Sequence, residues 1–416
     1  MTQLASDSSL SSSTSAPSSE LQAQPLDAAL GRELDVLRRA GLLRYLRRVE
    51  QRRGAEIVLE GKPAVDFSSN DYLGLATDAR IAAAVADALQ RDATGAAAAR
   101  SIAGNHPLHE ALEAALARLK GADAALLFPT GFAANAGAIP ALAGRGDVIY
   151  SDALNHASII DGCRLSRATT RTFPHADLDA LAALLDEDRG KYRRRLIVVE
   201  GVYSMDGDLF PLQRLVPLAR EHGAWIYVDD AHATGVLGAT GAGSAEHCGV
   251  LHEIDIAMGT LGKALGTVGA FIAGTRTLRE FLINRARSFV FTTGTPPALA
   301  AGAIAALDIM AREPWRRARL AENCARVRAG LAALGHEAPA NQPGHIVPVI
   351  IGGAEATLRV GQELRERGLL VGAVRPPTVP MGSARLRITV SAAHTAEQID
   401  RLLEALAAAR PPRAAA

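Results

Sequence analysis

The sequence is poor in lysine. Of its 45 basic residues only four are lysines, and the chain uses arginine wherever a generic positive charge will serve. The four are Lys62, Lys120, Lys191 and Lys263. Lys263 stands in a glycine-rich, otherwise uncharged stretch, so it is a candidate for a chemical role, with an exposed loop lysine as the ordinary alternative.

Cysteines and long apolar runs are also scarce. The three cysteines, Cys163, Cys248 and Cys324, are isolated and odd in number. That usage argues against a disulfide or zinc framework and predicts a cytoplasmic protein with reduced thiols and no metal site. No stretch of eighteen uninterrupted apolar residues occurs, so we predict no transmembrane helix. The net charge of +1 indicates neither nucleic acid nor a membrane surface as a partner.

The chain of 416 residues is long enough for more than one domain. Residues 1–25 are rich in Ser, Ala, Thr and Gln without an apolar period, and we predict a disordered tail there. Residues 26–70 are predicted to form an N-terminal helical segment. Apolar residues recur at helical spacing from Leu26 to about Arg53, which favours an amphipathic helix with a break or bend near Gly41.

Residues 71–300 alternate short apolar runs with helical segments. The predicted strands are Ala124–Phe128, Asp147–Tyr150, Leu196–Gly201, Trp225–Asp229, Ile254–Thr260 and Ala270–Ala273. The predicted helices lie near 107–120, 133–143, 175–189 and 211–222. Buried strands that alternate with helices are typical of an α/β layer with a mainly parallel sheet.

Residues 301–416 follow a different pattern and are predicted to form a smaller C-terminal α+β domain. Its expected elements are a helical stretch over 298–335 interrupted at Pro314, a strand at His345–Ile351, a helix at 355–368, a short segment near 370–374, a strand at Arg385–Val390 and a final helix at 395–409.

Two polar residues follow predicted strands and indicate a chemistry. Asp229 ends an apolar run, so its carboxylate is expected at the carboxyl edge of the sheet, where ligands bind in open α/β folds. A protonated pyridine nitrogen would supply the cation that such a carboxylate needs. Lys263 follows the next strand among small residues, where a partly desolvated amine has a lowered pKa and can attack an aldehyde. The pair predicts a pyridoxal-phosphate (PLP) enzyme with a Schiff base on Lys263; a helix cap and a loop lysine are the alternatives.

Three further features fit a PLP site. His156 can lie flat over an aromatic ring, and His232 can hydrogen-bond a ring hydroxyl, although a lone histidine is more often structural. The segment Pro129–Asn135 follows a strand and opens a helix. The backbone N–H groups of Gly131 and Phe132 at this helix start suit a phosphate.

From about residue 30 to 410 the chain resembles the α-oxoamine synthase family of fold-type I PLP-dependent enzymes. The matching segments are Ser68–Leu75, Glu200–Asp208, Val228–His232, Thr260–Lys263 and Phe291–Pro297. The resemblance implies a large domain with a mainly parallel central sheet, a smaller C-terminal α+β domain, and a homodimer. Members of the family condense an amino acid with an acyl thioester and lose CO2.

The segment Arg375–Arg387 most resembles the biotin-pathway branch of this family, which joins L-alanine to a pimeloyl thioester carried by coenzyme A or an acyl carrier protein. The alternative is another family member that uses glycine or serine with a different acyl-CoA. A plain aminotransferase would share Lys263 and Asp229, but it would not be expected to carry this segment. Regulatory relatives would lack the lysine.

The resemblance implies roles for the cofactor residues. It implies that Lys263 forms the Schiff base, that Asp229 pairs with the pyridine nitrogen and that His156 stacks on the ring. His232 is expected to contact the phenolic oxygen, and Ser204 and Thr260 to lie near that oxygen and the phosphate. The phosphate is expected to accept from the backbone N–H groups of Gly131 and Phe132, and Thr293 to reach the phosphate of the neighbouring subunit's cofactor.

The resemblance also implies substrate contacts. Arg387 binds the alanine carboxylate in the two-pronged geometry of a guanidinium. Arg44 and Thr378 contact the acyl substrate, and Asn70 and Glu200 are polar supports. The ordinary alternatives are a surface arginine for Arg44 and a strand-end ion pair for Arg387.

The run Gly95–Arg100 departs from the family pattern. It carries four alanines, Ala96 to Ala99, where the family usually has a glycine- and serine-rich turn. Alanines remove flexibility and hydroxyl contacts, so the thioester pocket or the dimer-interface loop is expected to differ here.

Overall fold

The computed structural model describes residues 25–336 and 341–409. Apart from Pro25, the tail predicted over residues 1–25 lies outside this part of the chain. The strands are β1 Val49–Arg53, β2 Glu56–Leu59, β3 Lys62–Phe67, β4 Ala124–Phe128, β5 Val148–Asp152, β6 Thr169–Phe173, β7 Arg195–Glu200, β8 Trp225–Asp229, β9 Ile256–Thr260, β10 Ala270–Gly274, β11 Ile346–Gly352, β12 Leu369–Val374 and β13 Ala384–Thr389.

The helices are α1 Leu26–Arg39, α2 Ala79–Arg91, α3 Pro107–Leu119, α4 Gly131–Leu142, α5 Ala157–Ser166, α6 Leu178–Glu187, α7 Leu212–Glu221, α8 Ser244–His247, α9 Arg276–Arg285, α10 Arg287–Val290, α11 Pro297–Arg312, α12 Trp315–Ala333, α13 Ala354–Glu366 and α14 Ala396–Ala409. None of the helices in the described ranges has the length and apolar character needed to cross a membrane.

A seven-stranded sheet in the order β4-β10-β9-β8-β7-β5-β6 forms the centre of the larger part. Its strands run parallel except β10, which is antiparallel to both of its neighbours. The six strands predicted here are all present within two residues of their expected bounds, which confirms the mainly parallel α/β fold. Thr169–Phe173 was missed because it is an edge strand whose first four residues are polar and not buried.

The central sheet is covered by helices on both faces. Successive residues of β5 show this, since Ile149 packs with α4 and α5 whereas Val148 and Tyr150 pack with α6 and α7. Strands buried on both faces carry continuous apolar runs, and this explains why they could be found from the sequence.

A second sheet, in the order β1-β2-β3-β12-β13-β11, combines strands from both ends of the chain. β12 is parallel to β3, and the other neighbours are antiparallel. The predicted elements after residue 297 are all present, including the break at Pro314 between α11 and α12.

The helix predicted to reach about Arg53 is wrong in its second half. α1 ends at Arg39, Gly41 has a φ of +67°, and Val49–Arg53 is a strand. This strand is polar and almost wholly exposed, so it carries no alternating pattern, and the apolar residues just before it happen to continue the helical spacing.

The described residues up to Leu46 form one compact unit, and those from Arg47 onward form a second. α1 belongs to the first unit. Both sheets belong to the second, as do the site residues from Asn70 to Arg387. The domain boundaries near residues 70 and 300 stay predictions.

Candidate active site

The carboxyl ends of three parallel strands bring polar residues to one edge of the central sheet, and two of these residues are acidic. Glu200 ends β7 and Asp229 ends β8, and the two residues are directly paired in the sheet register. Both are buried, with 3% and 4% of their surface exposed. β9 ends beside them at Thr260, and Lys263 follows three residues later. The structure thus brings Asp229 and Lys263 to the same edge of the sheet.

The carboxylate of Asp229 is held from two sides. The backbone N–H of Ala231 donates to Oδ1 at 3.0 Å, and Nδ2 of Asn135 donates to Oδ2 at 2.7 Å. Asn135 is itself oriented, because its Oδ1 accepts from the hydroxyl of Tyr227 at 2.7 Å and its Nδ2 also contacts Ser158 Oγ at 2.9 Å. These bonds fix the direction of the acid.

Lys263 is prepared for nucleophilic chemistry. Burial lowers the pKa of Lys263 to about 8, although the nearby carboxylates of Asp229 and Glu200 favour its charged form. A substantial share of the amine is therefore neutral at mildly alkaline pH, as an attack on an aldehyde requires. Its Nζ lies 3.0 Å from Nε2 of His232.

A hydrogen-bonded chain leads from this lysine to Arg387. Nδ1 of His232 lies 2.7 Å from the hydroxyl of Tyr72, which donates to Oδ1 of Asn70 at 3.1 Å. Nη1 and Nη2 of Arg387 both donate to the same Oδ1 at 3.3 Å. Arg387 is 8% exposed, and its Nε donates to the backbone oxygen of Ser204 at 2.5 Å.

His156 lies at the start of α5. Its backbone N–H donates to Glu200 Oε1 at 2.6 Å, and its Nδ1 lies 2.8 Å from Ser158 Oγ. Partial burial is the main reason why the pKa of His156 is lowered. The charge of Asp229 opposes this shift and the charge of Lys263 adds to it, so the imidazole ring interacts electrostatically with both residues. The predicted backbone donors, the N–H groups of Gly131 and Phe132, lie at the start of α4. Thr130 caps this helix, because its side-chain oxygen accepts from the backbone N–H of Ala133 at 3.1 Å.

The residues at this edge fit PLP. A Cβ on Gly131 would lie 2.9 Å from Cγ2 of Thr260, so only glycine lets the start of α4 approach Thr260 this closely. The first N–H groups of a helix have no intrahelical acceptor and suit a phosphate. Asp229, Lys263 and this helix start thus supply an anion for a pyridinium, an amine for an aldehyde and donors for a phosphate.

Three further predicted residues lie on other segments of the chain. Thr293 pairs with Ala99 in an isolated bridge, and Gly294 N donates to Ala98 O at 2.9 Å, so the alanine run packs against the Thr293 segment. Thr378 is exposed in the loop before β13. Arg44 belongs to the first unit. The roles of Thr293, Thr378 and Arg44 stay predictions.

Sequence reasoning assigned no role to Asn135, Tyr72 or His345. Asn135 could have been predicted to face the site, because it lies four residues after Gly131 in the same predicted helix and therefore on the same helix face. Tyr72 stood in a matching segment without a role. His345, whose Nε2 lies 2.9 Å from the backbone oxygen of His232, had no local signal.

Comparisons with known proteins agree with this site. The family model "Aminotransferase class I and II" matches residues 62–406. An 8-amino-7-oxononanoate synthase from Anaeromyxobacter dehalogenans is 51% identical over 382 residues, which are 92% of this chain and 95% of that protein.

Solved structures give the same picture. A structure of serine palmitoyltransferase with a PLP internal aldimine superimposes with a TM-score of 0.87 at 33% identity, covering 93% of this chain and 98% of that one. An 8-amino-7-oxononanoate synthase from Francisella tularensis superimposes with a TM-score of 0.73 at 28% identity, covering 83% of this chain and 97% of that one.

The chain therefore belongs to the aminotransferase class I and II family, with the fold of fold-type I PLP-dependent enzymes. Within that family, curated relatives to which it is about half identical are named 8-amino-7-oxononanoate synthase. This agreement confirms the resemblance predicted from the sequence.

Proposed function

We propose that the protein is a PLP-dependent acyltransferase. It condenses L-alanine with a pimeloyl thioester and yields 8-amino-7-oxononanoate, CO2 and the free thiol, a step of biotin biosynthesis. The observation that carries this proposal is the meeting of the half-buried Lys263 and the buried Asp229 at the carboxyl edge of the sheet, with hydrogen bonds that link Lys263 through His232, Tyr72 and Asn70 to the guanidinium of Arg387. That cluster places an amine and a carboxylate receptor in one site.

The chain's own residues account for cofactor binding. Lys263 would bind the aldehyde carbon, Asp229 would pair with the ring nitrogen, and the N–H groups of Gly131 and Phe132 would hold the phosphate. His156 would cover the ring, and Ser204, Thr260 and His232 would lie around its polar substituents. When bound, PLP supplies an electron sink for negative charge at the amino-acid Cα.

Arg387 would bind the carboxylate of the amino acid. Its Nη atoms make long bonds of 3.3 Å to Asn70, and a carboxylate can replace this partner with shorter, charge-assisted bonds. Asn70 would then support the bound carboxylate.

Lys263 moves the proton. Its pKa of about 8 makes the amine a base near neutral pH, and Nζ would take the Cα proton of alanine. Neutral His232 keeps Nε2 beside Nζ at 3.0 Å and so orients the amine. A new C–C bond then forms between Cα and the thioester carbonyl carbon as the C–S bond breaks, and the thiolate leaves and takes a proton from solvent. The bond between Cα and the carboxylate of alanine then breaks, CO2 is lost, and the electron pair stays on Cα. Lys263 returns its proton to Cα.

The acyl substrate contacts are Arg44 and Thr378, as the resemblance implies. We also propose that the protein is a cytoplasmic homodimer in which Thr293 reaches the phosphate bound by the partner subunit. Size-exclusion chromatography with light scattering tests the dimer. A monomer at micromolar concentration would contradict it.

Product identification tests the proposed function. The protein is mixed with PLP, pimeloyl-CoA and either alanine, glycine or serine, and the products are identified by mass spectrometry. We expect the mass of 8-amino-7-oxononanoate with alanine and none with the Lys263→Ala variant. A product from glycine or serine alone would favour a different α-oxoamine synthase, and no condensation product from any of the three would contradict the proposal.

A further inference from the structure

The hydroxyl of Tyr72 lies at the centre of the hydrogen-bonded chain. The side chain is fully buried, and the hydroxyl contacts His232 Nδ1 at 2.7 Å and Asn70 Oδ1 at 3.1 Å. The ring of Tyr72 packs edge-on against His345 with centroids 4.8 Å apart. The packing fixes the ring, so the hydroxyl hydrogen can turn only between its two acceptors.

The direction of this one hydrogen decides the tautomer of His232. Burial raises the pKa of Tyr72 to about 12 and lowers the pKa of His232 well below its ordinary value, so both groups are neutral near pH 8. If the hydroxyl donates to Nδ1, the imidazole proton is on Nε2. If the hydroxyl donates to Asn70, Nδ1 must carry the proton and donate to the phenol oxygen, which leaves Nε2 as an acceptor.

Asn70 couples this choice to Arg387. Three donors compete for the single amide oxygen of Asn70, namely Nη1 and Nη2 of Arg387 and the hydroxyl of Tyr72. An amide oxygen has two lone pairs, so it cannot accept well from all three. A carboxylate that binds Arg387 withdraws two of the donors, and Asn70 then becomes the better acceptor for Tyr72.

We propose that Tyr72 is a positioning residue that reports the occupancy of Arg387 to Lys263 by setting the tautomer of His232. With Arg387 engaged by a carboxylate, Nε2 of His232 is an acceptor and stabilises the proton that Lys263 takes up. With Arg387 bound to Asn70, Nε2 carries a hydrogen and opposes protonation of Lys263. This inference rests on the proposed role of Lys263 as the base for an amino acid held by Arg387.

The test measures the tautomer itself in the cofactor-free protein. Nitrogen-15 NMR of the histidine side chains distinguishes the two tautomers, and a His232→Gln variant assigns the signal. Arg387→Met removes the guanidinium donors from Asn70 Oδ1, so the Tyr72 hydroxyl donates to Asn70 and we expect the Nδ1–H form of His232 to increase. Asn70→Leu removes the Asn70 acceptor, so the Tyr72 hydroxyl donates to Nδ1 of His232 and we expect the Nε2–H form of His232 to increase. In a Tyr72→Phe background the two variants should give the same tautomer.

The same tautomer in Arg387→Met and Asn70→Leu, with Tyr72 present, would overturn the proposal. If either variant fails to fold, Arg387→Leu and Asn70→Ala give the same comparison. Product formation does not enter this measurement, so failure of the proposed function and failure of this inference are distinguishable.

Kinetics of the loaded protein supply a second readout. We expect Tyr72→Phe to lower kcat roughly 10- to 100-fold, as loss of support for a general base does, with KM for alanine changed less than about threefold. The matched control is Tyr150→Phe, which removes a hydroxyl that is also buried and bonded, to Asp188 at 3.1 Å, in the layer of α6 and α7. Unchanged kcat in Tyr72→Phe would contradict the proposal.

Discussion

Nδ2 of Asn135 lies 2.7 Å from Oδ2 of Asp229, although the two residues are 94 positions apart in the chain. Asn135 is fully buried on α4, and the hydroxyl of Tyr227 holds its amide in the orientation that presents the NH2 group to the acid. The helix whose N-terminus would hold the phosphate thus also orients the carboxylate that would pair with the ring nitrogen. In the proposed site, one helix would therefore support both ends of the cofactor.

Asn135→Ala is expected to weaken PLP binding. A hydrogen bond to a charged group contributes about 1.5–3 kcal/mol, so we expect the Kd for PLP to rise roughly 10- to 150-fold in an absorbance titration. The matched control is Asn323→Ala, since Asn323 is also a buried asparagine but donates only to the backbone oxygens of Ser391 and His394. An equal effect of the two variants would show that Asn135 acts through general stability.

Arg387→Lys is expected to raise KM for alanine by about 10- to 150-fold, because a point charge replaces a two-pronged donor worth roughly 1.5–3 kcal/mol. KM for the thioester should stay the same. The control is Arg326→Lys, which alters an exposed two-pronged pair with Asp400. Steady-state kinetics at varied alanine concentration measure KM for alanine in both variants. The same KM in Arg387→Lys and Arg326→Lys would contradict the assignment.

Lys263 makes the cofactor-free protein less stable at neutral pH. Its pKa falls from 10.5 in the unfolded chain to about 8 in the folded one. Between these values the unfolded state binds more protons, so the stability of the wild type rises with pH, and below about pH 8 the penalty is complete. Each pKa unit corresponds to about 1.4 kcal/mol, so the penalty is roughly 3 kcal/mol.

Lys263→Met should therefore raise the free energy of unfolding at pH 7, and its advantage over the wild type should shrink as the pH rises from 8 to 10.5. Urea unfolding of the cofactor-free proteins at several pH values measures this. Lys191→Met, which removes an exposed lysine, should show no such trend. An advantage that is constant with pH would mean that packing, and not charge, is responsible.

Lys120 is a buried lysine with a structural role. Its Nζ donates to Asp230 at 2.7 Å and to the backbone oxygen of Ala242 at 2.5 Å. These residues line a cavity of about 550 Å³ that reaches the amino edge of the sheet. Lys120→Met leaves the Asp230 carboxylate buried without its cation, and removal of one partner of a buried pair costs about 3–5 kcal/mol.

Thermal and urea unfolding test this loss in the PLP-loaded protein. Lys62→Met, at the exposed start of β3, should change stability by less than about 0.5 kcal/mol. A Lys120→Met/Asp230→Asn double variant should recover part of the loss, because it leaves no unpaired charge. If Lys120→Met were as stable as Lys62→Met, the buried pair would contribute nothing.

The parts of the fold that were predicted from the sequence carry their signal locally. Strands such as Trp225–Asp229 are buried on both faces, so a short apolar run ending in a polar residue identifies both the strand and the site. Strands Thr169–Phe173 and Val49–Arg53 are polar edges of their sheets, and nothing in their sequence distinguishes them from loop or helix.

The candidate site divides in the same way. Asp229 and Lys263 follow strand ends and could be found from the residues, whereas most of the other roles came from the resemblance. Tyr72 and His345 reach His232 across 160 and 113 positions. Contacts of this kind arise only when distant segments of the folded chain meet, so no local pattern predicts them.

The scarcity of lysine makes a direct test possible. The protein is loaded with PLP, reduced with borohydride and digested, and the modified peptide is identified by mass spectrometry. With only four lysines in the chain, every possible attachment point can be read in one experiment. We predict a single phosphopyridoxyl group on Lys263. Attachment at Lys62, Lys120 or Lys191 with Lys263 unmodified would contradict the assignment of Lys263 as the cofactor-binding residue.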